Sequence, residues 1–315
     1  MELYGLDTMS IEDFRSDLIR AGFLAESGVA GIYHRSFRYE SIVRALESYI
    51  SGASNCDEAR RLYFAPVMPQ STLVTSGYVR SFPDLIGVIS SFAGGNRELP
   101  ELLDRVAADK DWTELLTATD VVLCSAACHN IYPTFAHQKV PSSGIIYEVQ
   151  GTCFRHEPSE DPARMQSFRM HEFVYLGTAE GALAHRQEWI GRGSALLQAL
   201  GLTLDLVVAN DPFFGRVGRV LAHGQLEKEL KYEVTAQISS DNPGAIASGN
   251  YHEDHLAIDF DISLEEGGPM HSACFAFGLD RITLALIHVH GTDLTAWPTS
   301  VRDLLSPPNP FVKSQ

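Results

Sequence analysis

GIIYEVQGTCFRHEPSEDPARMQSFRMHEFVYLG, residues 144–177, is the stretch around which the rest of the chain is read. Apolar and β-branched residues run into Thr152-Cys153-Phe154, a turn-rich Pro-Ser-Glu-Asp-Pro insert follows, and Phe173-Val174-Tyr175-Leu176 returns. The pattern predicts two strands joined by a long polar loop. The charges lie inside the strands. Arg155 and Glu157 share a strand face, with Phe154 turned to the other, and Arg169 and Phe173 likewise share one. The expected surface carries guanidiniums, a carboxylate and an aromatic ring. It suits a nucleoside triphosphate, because guanidinium forks pair with phosphate oxygens and a ring stacks on a base. The same spacing also suits a structural ion pair of Arg155 with Glu157 or Glu172 on a solvated sheet face.

Working outward, 315 residues with 45% hydrophobic content provide for a sizeable core. The formal charge of −16, from 40 acidic and 24 basic residues, repels polyanions and argues against a surface that tracks a nucleic-acid backbone. The start, MELYGLDTMSIEDFRSDL, has acids and no long apolar core, unlike a secretory or transit segment, and no apolar run reaches membrane-spanning length. A soluble, cytoplasmic protein without membrane contact is expected. Five cysteines, at 56, 124, 128, 153 and 274, fit reduced thiols or metal ligands better than a disulfide framework.

Residues 1–60 read as an N-terminal helical layer, opened by a capping box at Ser10 and repeated over 39–50. Phe64-Ala65-Pro66-Val67-Met68-Pro69 brackets a short apolar piece with prolines, as at an edge strand. Cys124 and Cys128, spaced C-x3-C beside His129, suit either a metal or packing. Residues 188–206 show helical periodicity, with a second polar helix around Glu227. Asn250-Tyr251-His252-Glu253-Asp254-His255 reads as a polar loop, since H-E-x-H lacks the helical spacing of a zinc-protease site. Residues 271–291 place a strand, Gly278 and Arg281 in the first turn of an apolar helix, which suits either a phosphate faced by helix amides and guanidinium together or a plain strand-to-helix turn with a surface Arg. No internal repeat or low-complexity linker divides the chain.

Phe154-Arg155-His156-Glu157, a loop, then Arg169-x-x-x-Phe173 resembles motif 2 of class II aminoacyl-tRNA synthetases. The proline-bracketed stretch at 64–69 resembles motif 1, and Gly278-Leu279-Asp280-Arg281 resembles motif 3. The resemblance implies an α+β fold, an antiparallel sheet flanked by helices, as a single class II synthetase-like catalytic domain over 1–315 with no anticodon or tRNA-binding domain. It also implies a homodimer through motif 1. Arg155 would hold the α-phosphate of ATP, Glu157 the adenine amino group, Arg169 and Arg281 the γ-phosphate, and Phe173 would stack on adenine.

The phrases FAPVMPQSTLVTSGYVRSFPDL, CSAACHNIYP, SGNYHEDH and ACFAFGLDR are more closely similar to the amino acid:carrier-protein ligases, truncated relatives of archaeal-type seryl-tRNA synthetases. That resemblance implies ATP-dependent activation of a small amino acid, glycine or alanine, and its transfer to the phosphopantetheine thiol of a carrier protein rather than to tRNA. It implies zinc held by Cys128, Glu172 and Cys274 with one exchangeable position, and magnesium, for which Glu233 is the nearest candidate ligand. Glu172 has the opposite strand parity from Phe173, so a twist or bulge, or zinc beyond the strand edge, is expected. His171 stands where relatives carry Arg, with a possible effect on the amino acid pocket, and Asp280 where they carry Glu. The carrier would dock near 188–200. The alternatives are a synthetase-like enzyme with another acceptor and an inactive regulatory paralogue. Retention of Arg155, Glu157 and Arg281 speaks against the latter.

Overall fold

A computed structural model describes residues 10–53, 59–239 and 243–306; Cys56 lies outside them. Helix α1 (Ile11–Arg20) starts where the Ser10 hydroxyl accepts from the Asp13 amide, 3.1 Å, as the capping pattern predicts. The N-terminal layer is not wholly helical. Between α1 and α2 (Phe37–Ala53) stands a hairpin of β1 (Leu24–Glu26) and β2 (Tyr33–Arg35), too short to show period-two alternation. The chain continues through β3 (Arg60–Phe64), β4 (Val67–Pro69), α3 (Gln70–Thr75), α4 (Tyr78–Ser81), β5 (Val88–Phe92), α5 (Leu99–Ala107), β6 (Leu116–Leu123) and β7 (Lys139–Val140). The decisive stretch forms β8 (Ile145–Phe154) and β9 (Ser167–Gly177). After it come α6 (Ala179–Ala199), β10 (Asp205–Ala209), α7 (Gly215–Glu227), β11 (Lys231–Gln237), β12 (Pro243–Glu253), α8 (His255–Phe260), β13 (Ser263–Leu264), β14 (His271–Gly278), α9 (Leu279–His290) and α10 (Thr299–Leu304).

Seven strands form the central sheet in the order β10-β11-β12-β14-β9-β8-β3. All its pairs are antiparallel except β3 with β8. The proline-flanked piece forms β4, an edge strand of a separate three-stranded sheet in the order β4-β6-β5. Residues 205–206, read as the end of a helix, belong to the opposite edge strand. Helix α6 stops at Leu200 because Gly201 takes φ +82°, a left-handed conformation that only glycine adopts readily.

Helices α2, α6 and α9 cover one face of the sheet, and their core contains Leu46, Phe173, Trp189, Phe275, Phe277 and Leu284. The other face carries a smaller core, with Ala127, Ile131, Tyr132, Val149 and Val174, beneath the segment that follows β6. Beyond that segment the face is open. Close packing of the helical face is visible at Gly193 of α6, where an added Cβ would overlap the buried Phe275 ring. Gly193→Ala is therefore expected to destabilise the protein by about 1–3 kcal/mol despite its better helix propensity. A shift in denaturation midpoint measures this, and an unchanged or raised midpoint would show that the ring yields.

The N-terminal hairpin grips the β8–β9 loop. Tyr33 Oη donates to the Glu160 carbonyl (2.8 Å), the Gln166 amide to the Gly31 carbonyl (2.8 Å), Gln166 Nε2 to the Ala30 carbonyl (2.8 Å), and Arg35 to the Ser167 carbonyl.

Candidate active site and metal centre

Strand β9 keeps an unbroken register with both neighbours, pairing Glu172 with Val149 and Ala276, and Phe173 with Glu148 and Phe275. Facing residues of an antiparallel pair point the same way, so the assignments propagate across the sheet. The open face carries Phe168, Met170, Glu172, Cys274, Ala276, Ser248 and Asn250, then Lys231 and Glu233. Arg169, His171 and Phe173 point to the helices. No bulge re-aims Glu172, because the open face is the even-numbered face of β9.

An open cleft of about 750 Å³ lies on this face, walled by Arg155, Glu157, Arg164, Phe168, Glu233 and Arg281. Arg155 stands with its guanidinium carbon 5.3 Å from the Phe168 ring centroid, and its buried Nε has no hydrogen-bond partner among the described residues. Arg281, at the start of α9, donates from Nε to the Ala163 carbonyl (2.8 Å) and from Nη1 to the Ala245 carbonyl (3.0 Å). Burial and then the neighbouring charge of Arg155 pull its pKa below the ordinary arginine value. Two desolvated, mutually repelling guanidiniums with a donor unsatisfied form a site that a polyanion would complete. Lys231 Nζ contacts Asp211 (2.7 Å) and Glu233 (2.9 Å) at the side of the cleft.

The structure brings Arg155, Glu157 and Arg281 together with Arg169 in the cleft lining, but the Arg169 guanidinium is engaged by carboxylates and the Phe173 ring is not part of the lining. Arg169 is locked between Asp280 (2.6 Å) and Glu40 (2.6 Å), with its backbone amide also donating to Asp280 (2.7 Å). Phe173 is fully buried, its ring 3.7 Å from that of Trp189. The physical reason is parity. Within residues 144–177 Arg-x-x-x-Phe occurs twice, at Arg164–Phe168 and at Arg169–Phe173, and an offset of five residues reverses the face. Phe168 lies opposite Cys153, on the face that continues into Arg155 and Glu157. That pairing within a hairpin was the available signal for the first copy. His171 is also turned away from the cleft, 3.0 Å from Glu148 and stacked on Phe173. Asp280 borders the cleft, but its carboxylate is taken up by neighbouring side chains. It accepts from Arg169 and from Tyr39 Oη (3.1 Å), and pairs with Arg35 (3.3 Å).

The three expected metal ligands converge. Ligand atoms of Cys128, Glu172 and Cys274, all buried, lie within 4.8 Å of one another. Cys128 comes from a tight turn after β6, and Glu172 and Cys274 from adjacent central strands. Burial, and then the Cys274 sulfur, push the Glu172 carboxyl up to about 8. The hydrogen bond between the thiols raises Cys128 and lowers Cys274. Two thiols and a carboxylate holding protons in common at one buried point are the donor set of a thiophilic, tetrahedral cation such as zinc.

Set beside known proteins, the chain is 41% identical over 280 residues to amino acid–[acyl-carrier-protein] ligase 1 of Bradyrhizobium diazoefficiens, covering 88% of this chain and 86% of that protein. It is 42% identical over 282 residues to ligase 2 of the same organism, covering 89% and 84%. The chain belongs to the amino acid–[acyl-carrier-protein] ligase family.

The ligase is also 23% identical over 273 residues to the type-2 serine–tRNA ligase of Methanopyrus kandleri, covering 77% of this chain and 51% of that protein. Among solved structures it is similar to M. kandleri SerRS in complex with A. aeolicus tRNASec, with TM-score 0.81, 18% identity, and 95% of this chain against 61% of that one. The Pyrococcus horikoshii seryl-tRNA synthetase complexed with ATP gives TM-score 0.67, 13% identity, and coverages of 92% and 60%. The ligase thus has the class II synthetase fold over about three-fifths of the length of those chains. No model of a protein family matches it. No helix among its described residues is long and apolar enough to cross a membrane.

Proposed function

We propose that this ligase activates a small amino acid, glycine or alanine, with ATP as the aminoacyl-adenylate and passes the aminoacyl group to the phosphopantetheine thiol of a carrier protein. The observation that supports this most is the adjacency, on one sheet face, of a two-arginine cleft and a buried Cys-Glu-Cys trio. A carboxylate oxygen of the amino acid attacks the α-phosphorus and pyrophosphate leaves. Arg155 neutralises charge at the α-phosphate and Arg281 holds the departing group. In place of Arg169 and Phe173, Arg164 is assigned to the outer phosphates and Phe168 to the adenine ring. Glu157 is assigned to the adenine edge. Cys128, Glu172 and Cys274 would hold zinc, which would bind the substrate amine and so select by bonding where side-chain size offers little discrimination. The carrier thiol then attacks the activated carbonyl and AMP leaves, its phosphate taking the thiol proton. Magnesium accompanies the nucleotide, with Glu233 the proposed carboxylate, although Lys231 already pairs with it.

The reading treats the chain as one catalytic unit, cytoplasmic and without tRNA as acceptor. The charge of −16 supports that choice of acceptor. Carrier docking at 188–200 stays a proposal. Pyrophosphate exchange with ATP, run over a panel of amino acids with and without chelator and followed by acceptor loading, tests the whole. No exchange with any amino acid would favour an inactive paralogue, and loading of tRNA but not of a carrier would favour a synthetase.

A homodimer is proposed through the motif 1 segment, where Leu62, Tyr63 and Val74 are 40%, 67% and 57% exposed. Tyr63→Asp is expected to lower the sedimentation coefficient to that of a monomer. A wild-type chain that already sediments as a monomer, or a dimer indifferent to the change, would exclude this interface.

A further inference from the structure

The segment Asn250–His255 is not merely a polar loop. It is the end of β12 and the turn into α8, and its register against β14 breaks between Tyr251 and Glu253. Tyr251 faces Ala273 and Glu253 faces Ser272, leaving His252 as the extra residue of a bulge, with Glu253 at φ +52°. The displaced imidazole lies over Ser272 and reaches the metal-ligand sulfur, with His252 Nε2 3.6 Å from Cys274 Sγ. Its Nδ1 is 3.0 Å from Ser272 Oγ and 3.2 Å from Tyr132 Oη, and Tyr132 donates to Ser272 over 3.0 Å. The His252 carbonyl is in turn held by His255 Nδ1.

We propose that His252 is a positioning residue of the metal centre, donating its Nε2–H to the Cys274 sulfur. The argument is one of hydrogen counting and rests on the reading of Cys128, Glu172 and Cys274 as ligands. A cysteine bound to a cation is a thiolate and can only accept, so a ring nitrogen facing it must carry the hydrogen. Nδ1 must then accept, and the Ser272 hydroxyl, itself accepting from Tyr132, is placed to donate to it. The chain Tyr132 to Ser272 to His252 to Cys274 is thus complete and runs in one direction. His252 is not among the mutually close ligand atoms, so it acts on the sulfur and not as a fourth ligand. Asn250 Nδ2, 3.5 Å from the same sulfur, is a second donor. Two N–H groups directed at Cys274 fix the direction of its lone pairs, so that the sulfur is held ready for the cation.

The test uses the full chain loaded with zinc or cobalt(II). Competition with a chromogenic chelator is expected to show about 10–100-fold weaker metal binding in His252→Phe, as for loss of other outer partners of metal ligands. The sulfur-to-cobalt charge-transfer band is expected to move to longer wavelength, because a thiolate without its donor is easier to oxidise. His252→Gln, which restores an N–H, is expected to recover part of both. If His252→Phe does not fold, Ser272→Ala carries the test, with smaller shifts of the same sign. Unchanged affinity and an unchanged band in a folded variant would overturn the role of His252 alone. Failure of the wild type to bind metal would overturn it together with the ligand assignment.

Discussion

Cys128→Ser is expected to remove bound zinc and amino-acid-dependent pyrophosphate exchange together. A serine hydroxyl does not ionise in the neutral range and is a poor ligand for a thiophilic cation, so the trio becomes a pair. Structural zinc sites bind with about 10–16 kcal/mol. Losing a third of that weakens affinity more than ~10²-fold, which empties the site at ordinary metal concentrations. Stability of the metal-free protein should change little, since one small buried polar group replaces another. The control is Cys153→Ser. That thiol is equally buried but is not in the trio, so the variant should keep its metal. Metal content by elemental analysis, measured beside exchange, separates the outcomes. A Cys128→Ser protein that kept both would show that the trio is packing, and one that kept metal but lost exchange would place the cysteine's role elsewhere.

The second large effect concerns the duplicated Arg-x-x-x-Phe. Arg169→Met should destabilise the fold by about 3–5 kcal/mol, because it breaks a buried pair and leaves the carboxylates of Asp280 and Glu40 short of one guanidinium, with Arg35 alone still beside Asp280. The pH dependence has a definite sign. Burial alone would raise the Asp280 carboxyl, yet Arg35 and Arg169 hold it below the usual carboxylate range. Its contribution is therefore complete above the unfolded value of about 4 and drains as pH falls below it. The stability gap between wild type and Arg169→Met should narrow on acidification. Arg164→Ala should behave in the opposite way. Its side chain is 62% exposed, so the denaturation midpoint should stay put while exchange falls roughly 10²–10³-fold, the usual effect of losing one donor to developing charge. Should Arg169→Met instead fold as well as wild type and lose exchange, that guanidinium would belong in the cleft after all.

These two residues show what was legible in the sequence and what was not. Alternation and turn chemistry were enough to place β8 and β9, and the spacing of Arg155 and Glu157 put both in the cleft. Gly278 ahead of an apolar helix located the turn, and the motif 3 resemblance was needed to place Arg281 in the cleft. The convergence of Cys128, Glu172 and Cys274 came from resemblance, and the geometry agrees with it. The copy of Arg-x-x-x-Phe that faces the cleft was hidden because both copies satisfy the pattern, and only the pairing of Phe168 with Cys153 decides between them. That pairing also dissolves the apparent conflict between Glu172 and the adenine face. His252 was illegible for a related reason. Its direction depends on a bulge, and a bulge is set by two strands that lie some twenty residues apart.

The stitching of residues 160–167 to the N-terminal hairpin has a consequence for how nucleotide is received. A connection held by hydrogen bonds to Gly31, Ala30 and Tyr33 has already given up its freedom during folding. Arg164 and Phe168 therefore flank the cleft from a rigid mount. A nucleotide bound as proposed would have little disorder left to quench there, and more of the contact energy would be left for affinity.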